Sequence, residues 1–171
     1  MTEQHHISDL SVIADHARHK EEETDSFYRF LLEHSEQEID DKVHRLNAQV
    51  EAAIDCTTCG NCCRSLMINV TSDEVISLGE HLQLSYQEVK DRYIEESLQG
   101  HFIMNTIPCS FLVEKKCSVY EHRFTECRDF PHLHKPGFLA RFPGTMLHYG
   151  SCPIIFNVIE WLKRELAFER R

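Results

Sequence analysis

The sequence predicts a mainly helical α+β protein, in which an N-terminal helical hairpin precedes a small cysteine-rich domain with a short β-hairpin and a C-terminal helix. Three patterns support this class. Apolar residues between Ile39 and Ile54 recur every three or four positions, as on one face of a helix. Two short apolar segments, 111–113 and 117–120, flank a polar turn. Pro153 stands where the first residue of a final helix is often found.

The N-terminal hairpin is predicted from two segments, residues 8–34 and 36–55. The first has apolar residues near both ends, and its middle, residues 20–25, is too polar to bury. The second carries the continuous apolar stripe. Such a stripe is typical of the core face of a hairpin; the alternative is a dimer seam, for which three turns are short. We therefore interpret the stripe as intramolecular.

Further along the chain, two capping boxes predict helix starts. Thr71 and Glu74 open a helix that runs to about residue 82, and Ser85 and Glu88 open one that runs to about residue 98. Short strands are expected at 66–70, 102–106, 111–113 and 117–120, and one or two helical turns at 121–130, before Pro131. Residues 132–150 are expected to be loop-like, and a last helix is expected at 153–168.

Charge divides the chain into an acidic helical extension, residues 1–55, and a cysteine-cluster metal-binding domain, residues 56–171. The extension holds 14 acidic and 5 basic residues, a net charge of −9, and the rest holds 14 and 13, a net of −1. Because such a surface repels phosphate backbones, we expect no nucleic-acid partner. The acidic helices are instead suited to a basic protein partner.

The sequence also indicates a compartment. No segment approaches the roughly 20 apolar residues that span a bilayer, and the N-terminus has neither the basic nor the apolar region of a signal peptide. We therefore expect no membrane association and a cytoplasmic location. In that reducing setting eight cysteines favour metal binding over disulfides, which remain the alternative.

The strongest motif is a short loop that contains Cys56, Cys59, Cys62 and Cys63, with Gly60 among them. Thiols spaced C-x-x-C-x-x-C can direct their sulfur atoms at one centre, as in zinc and iron–sulfur sites. A hydrophobic core has no use for four thiols in eight positions, since a lone buried cysteine is only a small apolar filler. The loop therefore predicts a metal or cluster site.

Four more thiols follow: Cys109, Cys117, Cys127 and Cys152. Eight thiols allow two four-sulfur sites, or one site with spare thiols, and each downstream cysteine can also be a buried free thiol. Our hypothesis is two centres. The first centre would use three loop thiols and Cys152, which precedes a proline as the remote ferredoxin ligand does: Cys56, Cys59, Cys62 and Cys152. The second would use the remaining four thiols: Cys63, Cys109, Cys117 and Cys127.

Spacing leaves the cofactor open between an iron–sulfur cluster, such as [4Fe-4S], and zinc. The C-x-x-C-x-x-C run with a remote Cys-Pro favours iron–sulfur, because zinc usually takes its thiols in two C-x-x-C pairs. Nearby basic residues can offset the charge of a thiolate centre, the alternative being that they are solvated or paired with Glu121, Glu126 and Asp129: Arg64, Lys115, Lys116, Arg123 and Arg128. Five histidines are secondary candidates for ligation or proton transfer, with ordinary surface or core positions as the alternative: His101, His122, His132, His134 and His148.

Several spaced motifs together resemble a known family. They are the cysteine loop, Thr71–Glu74, Pro108–Leu112, Cys117–Tyr120 and Cys127–Pro131. In this order they are similar to the CxxCxxCC family of zinc- or iron-chelating domains, the YkgJ-type cysteine-cluster proteins, over residues 54–153. The resemblance implies a metal or iron–sulfur centre held by the cysteines. One departure is Phe124 after Arg123, where the family often has Arg-Pro.

The leading interpretation is a metal-binding protein that holds an iron–sulfur cluster or zinc through its cysteines. Flagellin lysine N-methylases are related to the family, so a metal-dependent enzyme that modifies a protein side chain is one alternative. The chain has no G-x-G-x-x-G nucleotide loop, and resemblance of fold does not establish an activity. The other alternative is a metal-stabilised protein-interaction module.

Overall fold

The structure is a computed structural model that describes residues 5–169. The first four residues of the predicted acidic extension and the last two of the predicted cluster domain lie outside this range. The chain forms two compact units. The helical unit combines residues 1–55 with 131–171, and the cysteine unit is Cys56–Phe130. Described residues of the segment 131–169 thus pack with the N-terminal helices, and the predicted division at residue 56 stays a prediction.

The helical unit contains five α-helices within its described residues: α1 Leu10–Arg18, α2 Glu21–Leu31, α3 Glu36–Ala53, α7 Phe138–Met146 and α8 Pro153–Glu165. Helix α3 packs against α7 and α8. Its predicted stripe is buried, with Val43 and Leu46 fully inaccessible to solvent. On α8, Ile155 and Ile159 are buried as well. The stripe therefore faces the core of its own unit.

The cysteine unit contains three helices and five short strands: α4 Ser72–Leu82, α5 Tyr86–Tyr93, α6 Thr125–Asp129, β1 Asn69–Val70, β2 Ile94–Glu96, β3 Phe102–Met104, β4 Leu112–Val113 and β5 Lys116–Cys117. Strand β3 lies between β1 and β2, antiparallel to both, and β4 pairs with β5 in a separate hairpin. Both predicted capping boxes are present, at Thr71–Glu74 and Ser85–Glu88. The mainly helical α+β class is confirmed.

Three sequence predictions need correction. Residues 8–34 form two helices, because Lys20 leaves helical geometry and its Nζ pairs with Glu160 Oε2 at 2.7 Å. The polar middle of that segment is not simply exposed, since Glu23 Oε1 accepts a 2.6 Å hydrogen bond from the buried Lys163. The helix expected to reach residue 98 ends at Tyr93, where the chain enters β2.

The largest error concerns residues 132–150, which were predicted to be loop but contain helix α7. Gly137, with φ of +76°, precedes the helix, and Asp40 on α3 accepts hydrogen bonds from the backbone N–H groups of Gly137 at 2.7 Å and Phe138 at 2.9 Å. The cap that starts α7 therefore comes from a residue almost 100 positions away. In the described part of the chain, no helix has the length and apolar character needed to cross a bilayer.

Candidate metal centre

The cysteine loop is built from two 3-10 turns, Cys56–Thr58 and Cys62–Arg64, on either side of Gly60. The backbone N–H of Cys59 donates to the Cys56 carbonyl at 3.2 Å, and that of Leu66 donates to the Cys62 carbonyl at 2.9 Å. Gly60 has φ of +62°, a left-handed conformation that L side chains rarely adopt. The loop thus folds back at the glycine.

The loop packs directly on the turn of the β4–β5 hairpin. A Cβ atom added to Gly60 would lie 2.6 Å from the carbonyl oxygen of Lys115, too close for any side chain. Arg64 Nη2 donates to the carbonyl oxygen of Glu114 at 2.6 Å. Glu114 itself has φ of +58°, which makes the turn possible without the preferred Asn-Gly sequence. These contacts fix the loop relative to the hairpin that carries Cys117.

Backbone bonds also place Cys109 and Cys117. The N–H of Cys109 donates to the carbonyl of Cys63 at 2.8 Å, which joins the end of the loop to the segment before β4. The N–H of Leu112 donates to the Cys109 carbonyl at 3.0 Å and closes a turn. Leu112 is then the direct strand partner of Cys117. Three cysteine-bearing segments are therefore linked by main-chain hydrogen bonds alone.

Cys127 comes from helix α6, which two carboxylates attach to the rest of the unit. Glu126 accepts hydrogen bonds from the backbone N–H and the side-chain Nδ2 of Asn69, both at 2.8 Å. Glu74 Oε1 accepts from the backbone N–H of Thr125 at 2.6 Å. Burial alone would raise the pKa of Glu74, but the hydrogen bonds from Thr125 and Thr71 outweigh it and lower that pKa. The ionised carboxylate is therefore the stable form at this contact.

Cys63 acts electrostatically on three other thiols, and the four together are called here the four-thiol group: Cys63, Cys109, Cys117 and Cys127. Burial, followed by the charges of Cys109, Cys63 and Cys117, raises the pKa of Cys127 to about 12. Burial also raises the pKa values of Cys109 and Cys117, and the charge of Cys63 adds to both shifts. An electrostatic effect of this kind requires proximity, because screened charges act over only about 10 Å.

Cys63 connects the four-thiol group to the neighbouring Cys62. A side-chain hydrogen bond with Cys62 raises the pKa of Cys63 most, and burial and the charge of Cys62 raise it further. Arginines oppose these shifts: Arg64 lowers the pKa of Cys63, and Arg123 lowers those of Cys117 and Cys127. Arg123 is held by a 2.8 Å bond from Nη1 to the Tyr120 carbonyl and stacks 3.8 Å from the centre of that residue's ring.

The other predicted ligands have different settings. Cys56 is exposed, whereas Cys59 and Cys62 are half-buried. Cys152 is buried and belongs to the helical unit, where it precedes α8; its N–H donates to the His148 carbonyl at 2.8 Å. None of the eight cysteines forms a disulfide bond with another described residue. The predicted grouping of Cys152 with the loop thiols stays a prediction.

The candidate histidines are dispersed. His101 and His134 are exposed, and His132 and His148 are half-buried, with the pKa of His148 lowered by burial. His122 stacks on His81, which the sequence did not single out, with 3.9 Å between ring centres. Within residues 5–169, no group of three or more His, Cys, Asp and Glu side chains is arranged so that it could hold a metal ion.

A comparison with protein families decides the wider relationship. The model described as "CxxCxxCC: Putative zinc- or iron-chelating domain" matches residues 55–145, more than half of the chain. The chain belongs to this family. The CxxCxxCC match contains all three helices and five strands of the cysteine unit and seven of the eight cysteines, and its description supports metal binding in general. Nothing among the curated proteins and the solved structures matches the chain.

Sequence reasoning found the family's thiols but missed the residues that hold them in place. Asn69 carried no signal, because its role depends on Glu126, 57 positions away. Glu74 did carry one, the capping box, yet that motif accounts for only one of its two oxygen atoms. The second oxygen reaches α6, a contact that no spacing rule predicts.

Proposed function

We propose that the protein holds a thiolate-ligated metal centre, an iron–sulfur cluster or zinc, with the four-thiol group as its ligands. The observation that carries this proposal is the convergence of thiols from four separate segments. Main-chain hydrogen bonds link the segments of Cys63, Cys109 and Cys117, and Cys109, Cys117 and Cys127 pack against one apolar core. A hydrophobic core needs no such convergence. Membership of a zinc- or iron-chelating family supports it independently.

The donor chemistry fits such a centre. Thiolates are the ligands that zinc and iron–sulfur clusters prefer, and four of them complete a tetrahedral set. The thiols have raised pKa values, so metal binding would displace their protons, and we expect the final ligand geometry to form at that step. Arg64 and Arg123 would offset part of the negative charge of the bound centre.

The environment of the sulfur atoms also favours a stable site. Cys109, Cys117 and Cys127 pack against the apolar core of the cysteine unit, which limits the access of water. Ligands from a loop, a turn, a strand and a helix would tie that unit together once they share an ion. A reducing compartment such as the cytoplasm would keep these thiols available for binding.

Metal analysis with visible absorption, on protein purified without oxygen, tests the proposal. We expect a stoichiometric amount of iron with inorganic sulfide and a brown colour. A colourless protein with stoichiometric zinc would support metal binding and assign the metal as zinc. If neither metal is present in stoichiometric amount and reduced protein takes up neither in reconstitution, the proposal is wrong.

The C-x-x-C-x-x-C run supports a second centre that consists of the loop thiols Cys56, Cys59 and Cys62 with Cys152. Its distinctive feature is the remote ligand before Pro153, at the start of α8. The variant Cys152→Ser should therefore lose one centre's share of the bound metal and keep the other. An unchanged metal content would contradict a role for Cys152 and leave the four-thiol centre in place.

A further inference from the structure

Helix α6 is too short to position Cys127 without help. It has five residues, Thr125–Asp129, and its preceding residue, Phe124, makes no side-chain capping bond. Isolated helices of this length are not stable in water, since nucleation fixes several residues for one hydrogen bond. Whatever holds α6 therefore also determines where the Cys127 thiol lies.

Glu74 supplies one such attachment, because its two oxygen atoms serve two helices. Oε2 accepts from the N–H of Thr71 at 2.8 Å and from its hydroxyl at 3.0 Å, which completes the capping box of α4. Oε1 accepts from the N–H of Thr125, the first residue of α6, at 2.6 Å. A carboxylate in this position satisfies free N–H groups and complements the positive end of a helix dipole.

Glu126 supplies the second attachment from within α6. Its two oxygen atoms accept separately from the main chain and the side chain of Asn69, at 2.8 Å each, so α6 is held to the start of β1. Asn69 pairs with Ile103 on β3, so α6 is tied to the sheet through its edge. Glu126 directly precedes Cys127 in the chain, and little freedom remains for that thiol.

We propose that Glu74 and Glu126 are positioning residues, a carboxylate clamp that fixes α6 so that Cys127 meets the other members of the four-thiol group. This inference rests on the proposed function and deepens it. Neither carboxylate needs to touch the metal. The physical basis is that side chains orienting metal ligands are typically worth a 10- to 100-fold change in metal affinity.

The chain offers a matched control in Glu88. It forms the same capping box for α5, with Oε2 accepting from the N–H and the hydroxyl of Ser85, both at 2.8 Å, while its Oε1 lies 3.6 Å from Nη2 of Arg92 on the same helix. Because glutamine also serves in capping boxes, Glu74→Gln and Glu88→Gln each keep one capping acceptor. Only Glu74→Gln also disturbs the contact with Thr125, since a glutamine has one acceptor oxygen where the clamp needs two.

The experiment uses Co²⁺ titration of the reduced, metal-free full chain. We expect Glu74→Gln and Glu126→Gln to weaken Co²⁺ binding about tenfold or more, whereas Glu88→Gln should stay within about twofold of wild type. The thiolate-to-cobalt absorption should fall toward that of three thiolates in the two clamp variants. Loss of helix stability alone would not lower the number of bound thiolates.

A second readout needs no metal. Alkylation of Cys127 by iodoacetamide, followed by mass spectrometry, should be several-fold faster in the clamp variants than in wild type and Glu88→Gln. Equal alkylation rates and equal Co²⁺ affinities in Glu74→Gln and Glu88→Gln would overturn the clamp. If wild-type protein binds no Co²⁺, the alkylation rates alone decide whether the clamp exists, and the iron and zinc analysis decides the proposed function separately.

Discussion

The two units differ in how each fills its interior. Among the described residues, the largest fully buried side chains, such as Phe27 and Phe156, belong almost entirely to the helical unit, and only Leu78 comes from the cysteine unit. The core of the cysteine unit is a small cluster with three partly buried cysteines at its edge. Because buried apolar area dominates folding stability, the helical unit has the stronger core of its own.

The units also treat buried polar groups differently. In the helical unit the buried Lys163 donates to Glu23 at 2.6 Å and to Glu160 at 2.8 Å, while Lys20 and Tyr149 bond Glu160 at 2.7 Å each. Opposite charges are thus paired inside the unit. The four-thiol group instead consists of like groups: burial, followed by the charges of Cys109, Cys63 and Cys117, raises the pKa of Cys127. From this contrast we expect a bound cation to stabilise the cysteine unit and not the helical unit.

The strongest test of this contrast removes one thiol ligand. Cys127→Ser should weaken metal binding by roughly 1,000-fold, about 4 kcal/mol, because a structural metal site contributes its binding free energy to folding. Hydrogen exchange followed by mass spectrometry should show lost amide protection in residues 56–130, while α3 and α8 keep theirs because their core is aliphatic and aromatic.

The same variant without metal provides the control. A serine replaces a thiol of nearly the same size, so metal-free Cys127→Ser should exchange at nearly the rate of metal-free wild type. A large difference between the two metal-free proteins would show that Cys127 acts by packing, and the contrast between the units would lose its basis.

In the helical unit the corresponding test is Glu160→Gln. Burial would raise the pKa of Glu160, but Lys163, with Lys20 and Tyr149, lowers it from 4.5 to about 2. Removing the charge leaves Lys20 and Lys163 to share the single carboxylate of Glu23 and should lower the free energy of unfolding by about 3 kcal/mol. Since the folded-state pKa is depressed, the difference between wild type and variant should be full above pH 4.5 and disappear as the pH falls toward 2.

Glu165→Gln is the matched control, on the same helix. Glu165 pairs with Lys42 and Arg45, but its side chain is 27% exposed, against 13% for Glu160. Exposed ion pairs contribute less than about 1 kcal/mol. Urea denaturation at several pH values should therefore separate the two variants, and equal losses would contradict the special role of the buried network.

The helices that the sequence predicted well are those whose signals are local. The stripe on α3 repeats every three or four residues, and the capping boxes at Thr71 and Ser85 each join residues three positions apart. The structure contains all three features. Helix α7 was missed because Pro143 and Gly137 suggested a loop, while its cap, Asp40, lies on another helix. Propensity was outweighed by a tertiary hydrogen bond that no local pattern records.

For the candidate site, too, local signals could be predicted and long-range contacts could not. The metal-binding role of the cysteine loop could be predicted from its spacing, since four thiols in eight residues have no packing explanation. Their grouping depends on long-range contacts, such as the bond from Cys109 N–H to the Cys63 carbonyl. The grouping of Cys63 with Cys109, Cys117 and Cys127 remains a prediction that ligand substitution will test.

The smallest predicted effect concerns how the cysteine unit holds its loop. Gly60→Ala must adopt a φ of +62° and place a Cβ 2.6 Å from the Lys115 carbonyl, so it should cost about 2 kcal/mol and weaken metal binding. Gly100→Ala, with φ of +78° and no atom within 4 Å, carries the backbone strain alone and should cost about 1 kcal/mol without affecting the metal. Equal metal affinity in both variants would show that the close approach of loop and hairpin does not position the thiols, because the two substitutions differ chiefly in that contact.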